Sequence, residues 1–351
     1  MPASGAGETP ALPGLQDDDV QGPELKPVEQ LHPELPLYRV TVPTPFPVGP
    51  VNLYAIREPE PVLLDTGPAM PGAVERLGHL LIECGINAHA LRKIVLTHFH
   101  IDHVGIAVPL AEQSGAPIYA NRVETGQLCA DTAMSAFFLS IMDEAGVSDE
   151  FRRQQHAQFE QIRIMGTPLK DFRSIEELAE LPCGPATLRL LYTPGHTPGS
   201  VSYWEPERRI LLAADTVIDK ITPNPFLAPD PHGLHGRFPS LRAYLETLER
   251  IRELRPAVIH GGHNRPVTDY EKHFEWSMRL HHKRQDAVRS CLRSKPHTAM
   301  QVAACLFPEE ARHGSFLALS EVFAHLDLLE EQGELRREMR GPVAIYSLLT
   351  S

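Results

Sequence analysis

The chain has 351 residues, 42% hydrophobic and 22% charged, with a formal net charge of -12. That is ordinary globular composition with room for two domains, and the acidic balance argues against a protein built chiefly to bind nucleic acid. The five cysteines, Cys84, Cys129, Cys183, Cys291 and Cys305, are scattered, odd in number and without a C-x-x-C pair. This excludes a disulfide framework and points to a reducing, cytoplasmic compartment. No basic and apolar signal peptide opens the chain, and no apolar run is long enough to span a membrane.

Residues 1–34 are rich in Pro, Gly, Ala and acidic residues and lack a hydrophobic period, so a disordered or loosely attached leader is expected. From Leu37 the pattern is β. Residues 37–42 alternate, 51–56 follow a Gly-Pro turn, and 62–64 lead into Asp65-Thr66-Gly67. Val74, Leu77, Leu81 and Ile82 place a helix over 71–84. The apolar run 93–96 reads as a buried strand, and it delivers Thr97-His98-Phe99-His100-Ile101-Asp102-His103 at the handover to a helix. Four metal-competent side chains within six residues suit a borderline cation. His98 and His100 can bend round one ion, and Asp102 and His103, a turn further on, can face a second.

A strand at 117–120 precedes a change of character. Residues 121–180 read as a helical insertion, serving either as packing or as a lid over the pocket. The β pattern returns at 187–192 and delivers His196 on the rigid loop Thr193-Pro194-Gly195-His196-Thr197-Pro198-Gly199. Two strands follow, 201–204 and 210–214, ending in Asp215-Thr216. They echo 51–54 and 62–64 ending in Asp65-Thr66, which suggests two related halves stacked as a sandwich with the site along their shared edge. Asp215 ends an apolar strand, where a buried charge needs a partner, and a place between two cations would supply one. Asp65 is expected to accept a hydrogen bond from a ligand histidine or from loop amides. A helix over 239–254 leads to strand 257–260 and then Gly261-Gly262-His263. His263 is preferred over His260 as a ligand, because two glycines let its backbone approach closely while His260 is still in the strand pattern. His235 is a further pocket candidate.

These motifs resemble the metallo-β-lactamase superfamily across about residues 36–278: His98-Phe99-His100-Ile101-Asp102-His103, then His196, Asp215 and His263. The resemblance implies an α/β fold, the αββα sandwich, over 35–278 with the insertion at about 121–180. It also implies a dinuclear metal centre, with His98, His100 and His196 on one ion, Asp102, His103 and His263 on the other, and Asp215 between them. Zinc is expected first, with manganese or iron as alternatives. The set is similar to the glyoxalase-II-type and ribonuclease-Z-type branches. True β-lactamases generally lack the bridging aspartate and are secreted, so antibiotic hydrolysis is not expected. Flavodiiron proteins carry a glutamate in place of His100 and a flavodoxin domain, and both are missing. Residues 279–351 resemble the winged-helix module appended to some of these hydrolases, with helices opening at His281 and covering 298–305 and 317–331, then a hairpin about Gly341-Pro342.

The expected activity is a metal-dependent hydrolase that activates water between two cations against a small ester, thioester or lactone, with Asp102 orienting that water or taking its proton. A β-lactamase-like endoribonuclease or phosphodiesterase is one alternative, and a mononuclear iron dioxygenase another. A small-molecule substrate is favoured over nucleic acid, and a membrane is not expected. The basic candidates for docking are Lys283, Arg284, Arg289, Arg293, Arg336, Arg337 and Arg340. However, the third helix of the module carries Glu321, Asp327, Glu330 and Glu331, which suit a packing or dimerising surface better than a phosphate groove.

Overall fold

A computed structural model of the chain describes residues 25–130, 132–233, 236–312 and 314–349. The first half runs β1 (Val28–Gln30), β2 (Leu37–Val42), β3 (Val51–Ile56), β4 (Val62–Leu64), α1 (Ala73–Glu83), β5 (Lys93–Val95), the short α2 (Ile101–Val104), α3 (Ala107–Ser114) and β6 (Ile118–Ala120). The insertion holds α4 (Thr125–Leu128), α5 (Thr132–Ala145), α6 (Asp149–Arg163) and β7 (Arg173–Ser174). The second half is β8 (Glu180–Cys183), β9 (Ala186–Tyr192), β10 (Val201–Glu205), β11 (Ile210–Ala214), α7 (Ser240–Leu254) and β12 (Val258–Gly261). The chain then continues through α8 (Tyr270–Leu292), α9 (Ala299–Leu306), α10 (Pro308–Arg312), α11 (Phe316–Glu331) and the hairpin β13 (Leu335–Arg340) with β14 (Val343–Leu348).

Strands β1 to β7 form one sheet in sequence order, antiparallel up to β4 and parallel from β4 to β7. A second sheet has the order β12-β11-β10-β9-β8, with only β11 and β12 parallel. Successive side chains of a strand point to opposite faces, and here both faces are covered. Tyr54, Ile56, Val62 and Leu64 of the first sheet meet Leu188, Tyr203, Ile210 and Leu212 of the second in one core. The alternate residues Leu53, Ala55 and Leu63 turn outward against Leu77 and Leu81 of α1 and Leu110 of α3. Trp204, Leu211 and Ala213 turn outward against Leu241, Tyr244 and Leu248 of α7 and Phe274 of α8. Helices therefore cover both outer faces of a two-sheet sandwich, the α/β architecture expected from the sequence. Burial on both faces explains why strands such as 62–64 and 210–214 read as continuous apolar runs.

Two expectations change. The expected leader spans 1–34; residues 1–24 lie outside the described residues, but Val28–Gln30 pairs with β2, and buried Arg39 reaches Glu29 at 2.7 Å. The first sheet therefore begins inside the expected leader. The sequence also places a helix opening at His281, after a boundary at 278/279. Instead α8 runs unbroken from Tyr270, with Asp269 Oδ1 capping Lys272 N at 3.1 Å. Its buried stripe includes His273, Ser277, His281, Arg284 and Gln285, polar residues that hide the helical period.

The insertion and the C-terminal helices share a core. Ile141 and Met142 of α5 and Phe151 of α6 pack with Val302, Leu306, Phe316 and Tyr346. Helix α11 is buried along nearly its whole length, between this core and α7. Arg237 ties the parts together. Its guanidinium donates to Asp327 Oδ2 of α11 at 2.9 Å and to Glu144 Oε2 of α5 at 2.7 Å, and lies 4.5 Å above the Phe323 ring. Removing one member of a buried ion pair leaves its partners uncompensated. Arg237→Ala is therefore expected to lower stability by about 3 kcal/mol in denaturant unfolding, whereas Arg163→Ala, on an exposed pair with Glu160, stays within about 1 kcal/mol of the parent.

Candidate metal centre

Four strand ends deliver the site. Asp65 follows β4 and the His98–His103 segment follows β5, its parallel neighbour; Asp215 follows β11 and His263 follows β12, again parallel neighbours. The fifth contributor, the loop 193–200 between β9 and β10, brings in His196. All seven side chains singled out from the sequence as ligands come together. His98, His100, His196 and Asp215 form one group and Asp102, His103 and His263 another, the ligand atoms of each lying within 4.8 Å of one another.

In the first group His100 Nδ1 lies 3.1 Å from His98 Nε2 and 2.9 Å from His196 Nε2. In the second, His263 Nε2 lies 3.3 Å from Asp102 Oδ2. Asp215 reaches both. Its Oδ1 is 3.3 Å from His103 Nε2, and its Oδ2 is 3.7 Å from His196 Nε2 and 3.7 Å from His263 Nε2. Donors each about 2.1 Å from one zinc ion stand about 3.4 Å apart in a tetrahedron, so these separations suit ligands converging on cations. Two buried atoms that face each other, His103 Nε2 and Asp215 Oδ1, have no hydrogen-bond partner among the described residues. Buried polar atoms rarely stay unpaired, and a cation would satisfy both. The nitrogen-rich donor set with two carboxylates fits a divalent metal.

The far nitrogens of four histidines are held. His98 Nδ1 donates to Thr97 Oγ1 (3.1 Å), His103 Nδ1 to Asp65 Oδ2 (2.8 Å), His196 Nδ1 to the Asn224 carbonyl (2.9 Å) and His263 Nδ1 to the Pro50 carbonyl (2.9 Å). Each bond fixes a tautomer that leaves Nε2 free to ligate. Asp65 also accepts from Thr97 N and Thr97 Oγ1, both at 2.8 Å, so one carboxylate braces His103 directly and His98 through Thr97. Gly262 is required by close approach: a Cβ there would stand 2.1 Å from Asp215 Oδ1 and 2.9 Å from His103 Cε1.

Electrostatics divides the two groups. Burial pushes His98, His100 and His196 down, His100 to about 3, so they stay neutral. Burial would lower His103 too, but the Asp215, Asp65 and Asp102 carboxylates outweigh it and raise it; Asp215 and Asp102 raise His263 in the same way. The second half of the site thus calls for positive charge.

His260 remains in β12, its ring edge-on to Tyr54, outside the cluster. His235 lies outside the described residues. Of the basic docking candidates, Arg284 is buried against Glu321, Arg289 pairs with Glu334, Arg337 with Glu144, and Arg340 lies 3.9 Å from Glu338, while Lys283, Arg293 and Arg336 are exposed.

Sequence reasoning missed Glu124. Its Oε1 accepts from Thr197 Oγ1 and, at 2.9 Å, from Gly199 N, and Asn121 Nδ2 donates to the Gly199 carbonyl at 3.0 Å. The pair holds the His196 loop against the first sheet. Nothing near position 124 signals this, since Gly199 lies 75 residues away.

Fold and site together define a metal-binding enzyme of α/β sandwich architecture. Residues 46–263 match the metallo-beta-lactamase superfamily, and residues 285–345 match the metallo-beta-lactamase-like C-terminal domain. The chain belongs to the metallo-beta-lactamase superfamily and is a metallo-hydrolase of that fold. It is 26% identical over 319 residues to the probable metallo-hydrolase YqjP of Bacillus subtilis, covering 88% of this chain and 97% of that one. It is 23% identical over 317 residues to a beta-lactamase-like protein 2 homolog of Caenorhabditis elegans, covering 88% of each. Among solved structures, a metallo-beta-lactamase family protein of Thermus thermophilus superposes with a TM-score of 0.76 at 27% identity, over 91% of this chain and all of that one. A beta-lactamase domain protein of Burkholderia ambifaria gives 0.75 at 20% identity over 92% and 94%.

Two outcomes are expected from the bracing residues. Asp65→Ala should weaken metal affinity about 10–100-fold, read by chelator competition. For Glu124, burial raises the carboxyl from 4.5 to about 7 against the pull of the Thr197 and Gly199 bonds. The folded protein then keeps a proton that the unfolded chain releases. Stability is full below about pH 4.5 and falls as pH rises towards 7, by about 1.4 kcal/mol per unit, then levels off. Glu124→Gln should show a shallower fall than the parent when chelator-treated protein is unfolded in urea between pH 5 and 8, because only the Glu124 share of the slope is lost.

Proposed function

We propose that the enzyme hydrolyses a small ester, thioester or lactone using two divalent cations, zinc first among the candidates. His98, His100 and His196 would hold one, and Asp102, His103 and His263 the other. The observation that carries this reading is Asp215, whose two oxygens reach towards both histidine groups from the end of a buried strand. Bound there, such a pair lowers the pKa of water and takes up charge developing on a carbonyl oxygen.

The chain's own residues supply the rest. Thr97, Asp65, Asn224 and Pro50 keep the histidines aimed and in the ligating tautomer. Asp102 Oδ2 sits beside His263 at the rim of the second group, placed to orient an attacking water and accept its proton. Phe99 and Phe226 pack edge-on to His100, with centroids at 4.6 and 5.1 Å, and shield that side of the site from bulk water.

A small-molecule substrate fits better than a nucleic acid, because α11 is buried and its acidic residues are engaged within the protein. The fold of residues 270–349, helices followed by a two-stranded hairpin, agrees with a winged-helix module serving as packing.

Metal analysis of protein purified without chelator should give two ions per chain, and a panel of esters, thioesters and lactones should reveal turnover. Asp102→Ala and His263→Ala should each retain one ion, lose the second and fall in activity by at least about 100-fold. A stoichiometry that stays at one iron after metal addition would instead favour the mononuclear dioxygenase reading. Cleavage of phosphodiesters, with the panel inert, would favour the nuclease.

A further inference from the structure

One metal-site histidine is held by a residue that the C-terminal helices themselves hold in place. The Asn224 carbonyl takes the His196 Nδ1 proton at 2.9 Å. The Asn224 side chain faces the other way. Its Nδ2 donates to the Leu317 carbonyl at 2.9 Å and to Glu321 Oε2 at 3.1 Å, both on α11. The whole segment around Asn224 is stapled to the same helices. Arg284 of α8 donates to Thr222 Oγ1 at 2.8 Å, Leu227 N donates to Ser320 Oγ at 2.9 Å, and Ser320 Oγ donates to the Pro225 carbonyl at 2.9 Å. Phe226 N returns to the His196 carbonyl at 3.0 Å, so the segment grips the histidine at both backbone and ring.

We propose that α11 is a working part of the metal centre, with Glu321 and the Leu317 carbonyl positioning Asn224 so that its carbonyl holds His196 in the ligating tautomer and orientation. Asn224 and Glu321 are positioning residues, acting through His196. The inference rests on His196 being a metal ligand, as proposed above.

Glu321 is built for the task. Burial alone would raise its carboxyl, but the Arg284 guanidinium at 3.0 Å and His325 at 3.2 Å outweigh that and hold it at about 2. It therefore offers Asn224 a charged acceptor, stronger than a neutral one and oriented by two partners of its own. A loop residue fixed by a charged, buried anchor has its carbonyl held in one place. Partners of a ligand histidine typically matter about 10–100-fold to metal affinity.

The test uses the full chain, stripped of metal and titrated with zinc and with cobalt against a chelator. Asn224→Ala should weaken zinc binding at one of the two sites by about 10-fold or more and shift the cobalt absorption of that site. Asn224→Asp keeps the size but loses the donor and faces Glu321 with a second negative charge, so it should weaken binding at least as much; a role in packing alone would leave it close to the parent. Ser320→Ala, which removes two of the staples, should lose about fivefold and carries the test if the Asn224 variants do not fold. Arg289→Ala, which breaks the pair between Arg289 of α8 and Glu334 in the turn after α11, should bind zinc within about twofold of the parent. Zinc affinity within about twofold of the parent in Asn224→Ala, or in Ser320→Ala where that variant carries the test, would overturn the proposal. So would an equal loss in Arg289→Ala. A parent chain that binds no zinc would instead remove the metal reading itself.

Discussion

The burial of the Asp215 carboxylate is the constraint on which the site depends. A charge at the end of an apolar strand is costly unless it is compensated. Here it is surrounded by His98, His103, His196 and His263, each offering a nitrogen within 4.0 Å. Three of those nitrogens belong to rings whose other side is already committed as a donor, to Thr97, to the Asn224 carbonyl or to the Pro50 carbonyl. The fourth, His103, answers to Asp65. Every bracing bond therefore serves one end: it leaves the ring nitrogen on the Asp215 side free for a cation, and a cation held between those nitrogens and the carboxylate would compensate the buried charge. Gly262 shows how tight the arrangement is, since even a methyl group would collide with Asp215 Oδ1.

The fold supplies this geometry twice. In the first half β2, β3 and β4 pair antiparallel and β5 joins β4 in parallel; in the second, β9, β10 and β11 pair antiparallel and β12 joins β11 in parallel. Each half ends its third strand in Asp-Thr, and each parallel neighbour ends in a histidine-bearing segment. At both ends a non-glycine residue takes the left-handed conformation, Asp65 at φ 61° and Ala214 at φ 44°. Such backbone is sparsely populated and is kept where the surroundings hold it. The two aspartates then take different work: Asp215 faces the ligand nitrogens, and Asp65 sits behind His103.

The reach of sequence reasoning follows from how far each contact spans. The His98–His103 segment is legible because four metal-competent side chains fall within six residues after an apolar strand. The echo of the two halves was legible because strands buried on both faces advertise themselves. His263 could be chosen over His260 because two glycines mark where the backbone comes close. Glu124, Asn224, Arg237 and Glu321 were not legible. The contacts that give them their roles span 28 to 97 residues, and nothing in their own neighbourhoods distinguishes them from surface residues. Helix α8 begins at Tyr270, ahead of the start its pattern indicates, for a related reason. Its buried stripe is built from histidine, serine, arginine and glutamine, which break the apolar period.

The acidic residues of α11 show how composition can point in a useful direction for an incomplete reason. Glu321, Asp327, Glu330 and Glu331 suggested a helix unsuited to phosphate. In the structure each has a basic partner within the chain: Arg284, Arg237, Arg337 and Arg242 respectively. The outer two pairs are partly exposed and contribute little. The inner two are more enclosed, with Arg284, Glu321 and Arg237 buried and Asp327 half-buried, and they join α11 to α8, to α5 and to the segment that carries Asn224. Their negative charge is therefore consumed in assembly. With one side of α11 in the core shared with the insertion and the other against α7, the helix has almost no free face. What remains chemically distinctive about it is the path that leads away from its own packing, from Glu321 and the Leu317 carbonyl through Asn224 to the ring of His196.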